Sequence, residues 1–202
     1  AVLTVDSQSL ITADPLASQT LCEGSSLTLS VTATGTGLSY QWYQGLTPVG
    51  GNSSSYSVGS VAVTDAGTYK VEVTSAGVCI PSMVTSANAI VIINSPINIS
   101  AQPAASQTLC AGSPFNLSVT ASGTGLSYQW KKNGVDILGE TSNTFSIGSV
   151  ASGDAGNYTV QVSSTGVCVP GSVSSTTAVL TVDSPSLITA DPLASQTLCE
   201  GS

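Results

Sequence analysis

The sequence predicts an all-β protein: a tandem of small β-sandwiches of about seven strands each, joined head to tail. Three observations carry that expectation. Residues 178–202 read AVLTVDSPSLITADPLASQTLCEGS and residues 1–25 read AVLTVDSQSLITADPLASQTLCEGS, so the chain repeats itself at an offset of 177 residues with one difference, Gln8 against Pro185. The cysteines recur at half that period: Cys22 to Cys110 is 88 residues, Cys110 to Cys199 is 89, and Cys79 to Cys168 is 89. Between these landmarks lie short segments of alternating apolar and polar residues punctuated by Gly, Ser, Asn and Pro, with no apolar period of 3.6. Fixed-period self-similarity marks a repeat array, and a chain that restarts its own beginning is expected to be a window on a longer one.

In order along the chain, residues 1–7 (with Val2, Leu3, Thr4 and Val5) are expected to be the last strand of a preceding domain. A first full domain then covers 8–94, a second 95–183, and residues 184–202 open a third. Leu27, Leu29, Val31 and Ala33 alternate with Thr28, Ser30 and Thr32, as a half-buried strand requires; Leu117, Val119 and Ala121 do the same one repeat later. Gly35-Thr-Gly37 and Gly123-Thr-Gly125 are read as turns leading into the next strand. That strand carries Tyr-Gln-Trp, with Trp42 and Trp130 each 11 residues after Val31 and Val119. Further on stand Asp65-Ala-Gly-Thr-Tyr69 and Asp154-Ala-Gly-Asn-Tyr158.

These motifs resemble the immunoglobulin superfamily across both full repeats. The resemblance implies a strand-C tryptophan in the core and a tyrosine corner ahead of strand F. It assigns core positions to Trp42, Tyr69, Val31 and Val71 in one repeat, and to Trp130, Tyr158, Val119 and Val160 in the other. In many family members cysteines stand at those valine positions and bridge the sheets. Here valines replace them, so packing alone holds the core, each tryptophan burying about 200 Å².

The resemblance also bears on where the cysteines go. Cys22 would end the first-strand segment at one pole of its sandwich, and Cys79 would lie in the F–G connection at the other, about 25 Å away for strands of about eight residues. A disulfide needs Cα atoms within about 7 Å. Across a head-to-tail junction, Cys22 instead faces Cys168. Cys79, Cys110 and Cys199 would then pair with neighbouring repeats. Free buried thiols and an intradomain bond stay open as alternatives.

Composition narrows the function classes. Charged residues are 7% of the chain, the net charge is −8, and the only cations are Lys70, Lys131 and Lys132. That excludes nucleic acid and anionic membrane surfaces as partners, because both require clustered Lys or Arg. Apolar runs such as Ile90 to Ile93 are too short to span a bilayer. With no His there is no Ser-His-Asp or Cys-His arrangement, and no enzymatic activity is expected. Asp65 and Asp154 are read as turn caps. Asp6, Asp14, Asp183 and Asp191 lie near the linkers, where calcium can gather carboxylates. The matching positions Asn94 and Gln102 break that set, so no cofactor is expected, calcium included. The Asn-x-Ser/Thr sequences at Asn52, Asn98, Asn116 and Asn157 are what a Ser/Thr-rich chain contains by chance.

Repeat-to-repeat differences point to lateral contacts. Tyr43 stands where Lys131 stands, and Ile92 where Thr181 stands, so Ile92, Tyr43 and Lys131 are the candidates for association with another copy. Regularly spaced cysteines in a nearly uncharged chain suit an oxidising, extracellular setting. Linkers around Pro15, Pro96 and Pro192 leave little slack. The expected function is therefore structural: a segment of a long secreted or surface-anchored filament or adhesin stalk that bundles into a homo-oligomer and extends an adhesive tip, whose target would be a cell surface or glycan. The motifs TLCEGS, LSYQW, DAGTY and GVC resemble tandem immunoglobulin-like repeats of giant bacterial surface proteins exported by the type IX route, such as gliding adhesins and the prey-catching filaments of predatory species. Two alternatives stay open. One is a ligand-binding module acting through the B–C and F–G loops, notably Gly77 to Pro81 and Gly166 to Pro170. The other is an accessory domain of a secreted hydrolase.

Overall fold

The computed structural model describes residues 5–76, 83–168 and 170–183. The first sandwich contains β1 (Leu10–Ala13), β2 (Ser18–Cys22), β3 (Leu27–Ser30), β4 (Thr32–Thr34), β5 (Leu38–Gln44), β6 (Thr47–Val49), β7 (Ser55–Val58), β8 (Gly67–Ser75), β9 (Met83–Thr85) and β10 (Ala89–Asn94). One sheet runs β2-β10-β8-β5-β6, with β9 also on β8; facing it are the pairs β3-β7 and β1-β4. β2 lies parallel to β10, from Ile90↔Ser18 to Asn94↔Cys22, while β5 pairs antiparallel with β8 along the whole of β5, from Leu38↔Ser75 to Gln44↔Tyr69.

The second sandwich repeats this plan with β11 (Asn98–Ala101), β12 (Ser106–Cys110), β13 (Phe115–Ser118), β14 (Thr120–Ser122), β15 (Leu126–Lys132), β16 (Val135–Asp136), β17 (Thr144–Ile147), β18 (Gly156–Ser164), β19 (Ser172–Ser174) and β20 (Ala178–Asp183). Its main sheet runs β12-β20-β18-β15-β16, and β12 lies parallel to β20 in the same register, from Ser106↔Val179 to Cys110↔Asp183.

Among the described residues, ten segments per sandwich reconcile with about seven strands because three strands are each broken once. Pro15, which cannot donate to a ladder, separates β1 from β2 and lets the first strand pair with one sheet and then the other. Val31 separates β3 from β4 and bonds through its N–H to the Ser54 carbonyl. Ser86 separates β9 from β10. There the Val71 N–H donates to Ser86 Oγ at 3.0 Å, the Ser86 N–H donates to the Val71 carbonyl at 2.9 Å, and the hydroxyl donates on to the Ala87 carbonyl. A hydroxyl thus completes the ladder where the backbone slips. Ser175 does the same for Val160 at the same distances.

The core follows the alternation. Leu27, Leu29, Trp42, Val61, Tyr69, Val71, Val73, Ala89 and Val91 are buried between the first pair of sheets. Trp42 is fully buried, and its indole N–H donates to the Ser53 carbonyl at 3.0 Å. In the second sandwich Trp130 donates to the Ser142 carbonyl at 2.9 Å. Phe145 stacks between Trp130 and Tyr158, with ring centroids 5.7 Å and 5.4 Å away. Val31 and Val71, and their counterparts Val119 and Val160, are all buried.

Both tyrosine corners are formed. Tyr69 donates its hydroxyl proton to the Asp65 carbonyl at 2.8 Å, and Tyr158 to that of Asp154 at 2.7 Å. The two aspartates cap their own turns: Asp65 Oδ2 accepts from the Ala62 N–H, and Asp154 Oδ2 from the Ala151 N–H, each at 2.8 Å. Burial first, then the nearby Tyr56 and Asp65 charges, pushes the Tyr69 hydroxyl up to about 12. Burial, with Asp154, shifts Tyr158 in the same direction. An unfolded tyrosine titrates near pH 10, so in this range the folded state holds the proton more tightly. The contribution is whole below about pH 10 and is lost as pH rises toward about 12. Denaturant unfolding at stepped alkaline pH, followed with phenolate absorbance, is expected to show that decline. A Tyr69→Phe, Tyr158→Phe double variant is expected to flatten it.

Candidate functional site

The chain divides into two compact units. One holds residues 1–100, 121–127 and 162–173; the other holds residues 101–120, 128–161 and 174–202. The first unit thus contains the first sandwich together with two segments from the second sequence repeat. Inside this unit lies the most distinctive chemical feature of the chain, a disulfide between Cys22 and Cys168. Their Cα atoms are 5.4 Å apart and 146 residues separate them in sequence.

Backbone pairing sets the position of Cys22. It is the last residue of β2, opposite Asn94 at the end of β10. The following Glu23 N–H donates to the Asn94 carbonyl at 2.9 Å, and Ser25 N–H donates back to the Cys22 carbonyl at 3.0 Å. This turn leaves Cys22 at the rim, half-buried. Cys168 is only 4% exposed, and its Sγ lies 3.1 Å from the Asn94 carbonyl oxygen. A disulfide sulfur carries no proton, so that approach is a contact and not a hydrogen bond.

Polar groups hold the surroundings. Ser95 donates its N–H to Thr124 Oγ1 at 2.8 Å and its hydroxyl to Glu23 Oε2 at 2.9 Å. Thr124 N–H donates to the Ser95 carbonyl at 3.2 Å. Ser164 donates its hydroxyl to the Thr124 carbonyl and accepts from the Gly166 N–H at 3.0 Å. Gly125 has φ +59°, and a side chain there would collide with Thr165. Gly166 packs against the Asn94 side chain, 3.3 Å from where a Cβ would stand.

The other candidate residues are placed as follows. Asp14 Oδ1 accepts from the Ala87 N–H at 2.8 Å, and in the second repeat Gln102 Oε1 accepts from the Thr176 N–H at 2.9 Å. An acid and an amide serve the same purpose, because only an acceptor oxygen is needed. Among the described residues no three His, Cys, Asp or Glu side chains converge as a metal site would require. Tyr43 and Ile92 lie on different strands of the first sandwich, and Lys131 lies on a strand of the second. Tyr43 lies on β5 under the Lys70 ammonium, 5.2 Å from the ring centroid, and Lys70 also pairs with Glu72 at 3.2 Å. Burial first, then a hydrogen bond with Glu72, raises the Tyr43 hydroxyl pKa. Ile92 lies on β10, 45% exposed, near the exposed Ile90. Lys131 pairs with Asp136 at 2.9 Å on β15 of the second sandwich. Asn52, one of the Asn-x-Ser positions, uses its amide oxygen to accept from the Tyr40 N–H. Cys110 is a free, exposed thiol. Cys79, Cys199, Asp191 and the loop Gly77 to Pro81 lie outside the described residues.

The roles of Ser86, Ser175, Asn94, Glu23 and Ser95 are not legible in the sequence. Their signal was faint: a serine recurring 89 residues on in a serine-rich chain, and a polar pair at the end of each last strand.

Residues 12–92 match the family model described as "Ig-like domain CHU_C associated". No curated protein matches the sequence significantly. Among solved structures, the chain is similar to the N-terminal four immunoglobulin domains of Dscam1 isoform 6.9, at 19% identity and a TM-score of 0.67 over 91% of this chain and 48% of that one. It is similar to immunoglobulin domains 1–4 of Sidekick-1, at 19% identity and 0.65 over 91% and 51%. It is also similar to the I67–I69 fragment of titin, at 19% identity and 0.57 over 89% and 67%. The chain therefore spans about half to two thirds of their lengths, and identities this low establish the fold alone. Residues 12–92 are thus an immunoglobulin-like domain resembling the CHU_C-associated kind, within an all-β chain of two tandem immunoglobulin-like sandwiches.

Proposed function

We propose that this chain is a structural segment of a long extracellular bacterial filament or adhesin stalk, exported by the type IX route, whose repeats form a semi-rigid rod that carries an adhesive tip outward. The observation that supports this most is the Cys22–Cys168 bond, which ties the first strand of one sequence repeat to the F–G loop of the next. A ligand-binding module has no need of a covalent link between successive repeats; a stalk under tension does, because the link converts a backbone junction into a doubly connected one. The disulfide suits an oxidising compartment, and the likeness of residues 12–92 to a CHU_C-associated domain agrees with a surface protein. The exposed Ile90 and Ile92 on β10 are where copies would pack side by side in a bundle. Immunogold electron microscopy of the producing cells, with antibody raised against residues 8–183, tests the reading. Labels repeated along filaments that project from the cell are expected. Label restricted to the cell interior, or to single points at the envelope, would overturn it.

A further inference from the structure

The free thiol of Cys110 stands in the place that Cys22 occupies one repeat earlier, and the match extends contact by contact. Cys110 ends β12 opposite Asp183 on β20, as Cys22 ends β2 opposite Asn94 on β10. Ala111 N–H donates to the Asp183 carbonyl at 2.9 Å, as Glu23 N–H does to that of Asn94. Gly112 N–H donates to the Val150 carbonyl at 2.8 Å, as Gly24 N–H does to that of Val61 at 2.8 Å, and Ser113 N–H donates to the Cys110 carbonyl at 3.1 Å, as Ser25 N–H does to that of Cys22. Both half-joints are therefore built alike. In the first the cysteine is bonded, while in the second it is exposed.

We propose that Cys110, with Asp183 and the turn from Ala111 to Ser113, is a preformed acceptor for the Gly-Val-Cys loop of another repeat, and specifically for a loop of the Gly77-Val-Cys-Ile-Pro81 type. This rests on the reading of the chain as a stapled stalk. Three observations choose the occupant. The seated loop in the first joint is Gly166-Val-Cys168, and its glycine is what lets it lie against the Asn94 side chain. The only other Gly-Val-Cys in the sequence is that of Cys79. Residues 184–202 repeat residues 7–25 with one change, so the sequence after Asp183 matches the opening of the repeat whose loop carries Cys79.

The joints also alternate in charge. Glu23 sits beside Asn94 in the first, and Ala111 beside Asp183 in the second, so each holds one carboxylate and never two adjacent ones. Two like charges so close would repel.

Bond formation is an ordinary two-step exchange with a low-molecular-weight disulfide such as oxidised glutathione. The Cys110 thiolate attacks one sulfur and expels one glutathione thiolate. The incoming loop's thiolate then attacks Cys110 Sγ in the mixed disulfide and expels the second. Two protein thiols are oxidised and one disulfide is reduced to two thiols.

The test is a digest, without reduction, of the native protein purified from its producing cells after free thiols have been alkylated. Four peptide types are distinguishable by mass: those carrying TLCEGS, TLCAGS, SAGVCIP and STGVCVP. The expected result is that TLCAGS is linked to SAGVCIP, the pair separating into two peptides on reduction. TLCAGS recovered alkylated, linked to itself, or linked to STGVCVP would overturn the proposal. The stalk reading is judged separately, by the imaging above and by whether TLCEGS is linked to STGVCVP in the same digest.

Discussion

Replacing Trp42 with alanine is expected to lower the stability of the first sandwich by about 3–5 kcal/mol, the range for truncating a fully buried aromatic side chain. The size of the effect follows from what surrounds the indole. Val31 and Val71 stand where a cross-sheet disulfide stands in many immunoglobulin domains, so nothing covalent holds the sheets together beside the ring. Trp42 pairs across the ladder with Val71 on one side and Val49 on the other. It also packs near Tyr56, ring centroids 6.4 Å apart, and Tyr56 in turn contacts Tyr69 at 5.7 Å. Losing the indole opens a cavity at the centre of that chain of rings. Trp42→Phe restores most of the volume but leaves the Ser53 carbonyl without its donor, so a loss of about 1–3 kcal/mol is expected from the unsatisfied group. Guanidinium unfolding monitored by circular dichroism measures both. A Trp42→Ala loss below about 1 kcal/mol would mean the core is not organised on this ring.

Much of this architecture is legible in the sequence because it rests on patterns with a physical period. Leu27 and Leu29 alternate with Thr28 and Ser30, and that alternation is the burial pattern of β3. Asp65-Ala-Gly-Thr-Tyr69 is legible because one motif makes both a turn cap and a tyrosine corner, and each requires a specific side chain. The breaks at Val31 and Ser86 are not legible. A strand interruption changes which neighbour accepts a hydrogen bond without changing the alternation, and in a serine-rich chain nothing marks the one serine that repairs a ladder. The Asp14 and Gln102 acceptors are illegible for a related reason: where any oxygen will do, the repeats are free to differ. The disulfide falls between these cases. Periodicity shows that the cysteines belong to a recurring feature, but pairing depends on which loops approach which strand ends, and three-dimensional placement decides that.

Removing the Cys22–Cys168 bond is expected to cost the first unit about 2–4 kcal/mol, with about 5 kcal/mol as the ceiling that chain entropy sets for a closed loop of this length. The native state itself should change little. On reduction the buried Cys168 sulfur gains a proton and can donate weakly to the Asn94 carbonyl 3.1 Å away. The half-joint around Cys22 is held by backbone bonds at Glu23 and Ser25 that do not involve sulfur. The loss therefore resides mostly in the unfolded chain, which the bond otherwise keeps compact. That assigns a signature beyond a lower midpoint: the denaturant dependence of the unfolding free energy should steepen when the bond is gone, because more surface is exposed on unfolding. A Cys22→Ser, Cys168→Ser variant should behave like the reduced protein in both respects. A lower midpoint with unchanged steepness would place the effect in the native state instead, and an unchanged midpoint would mean that the 146-residue closure constrains nothing.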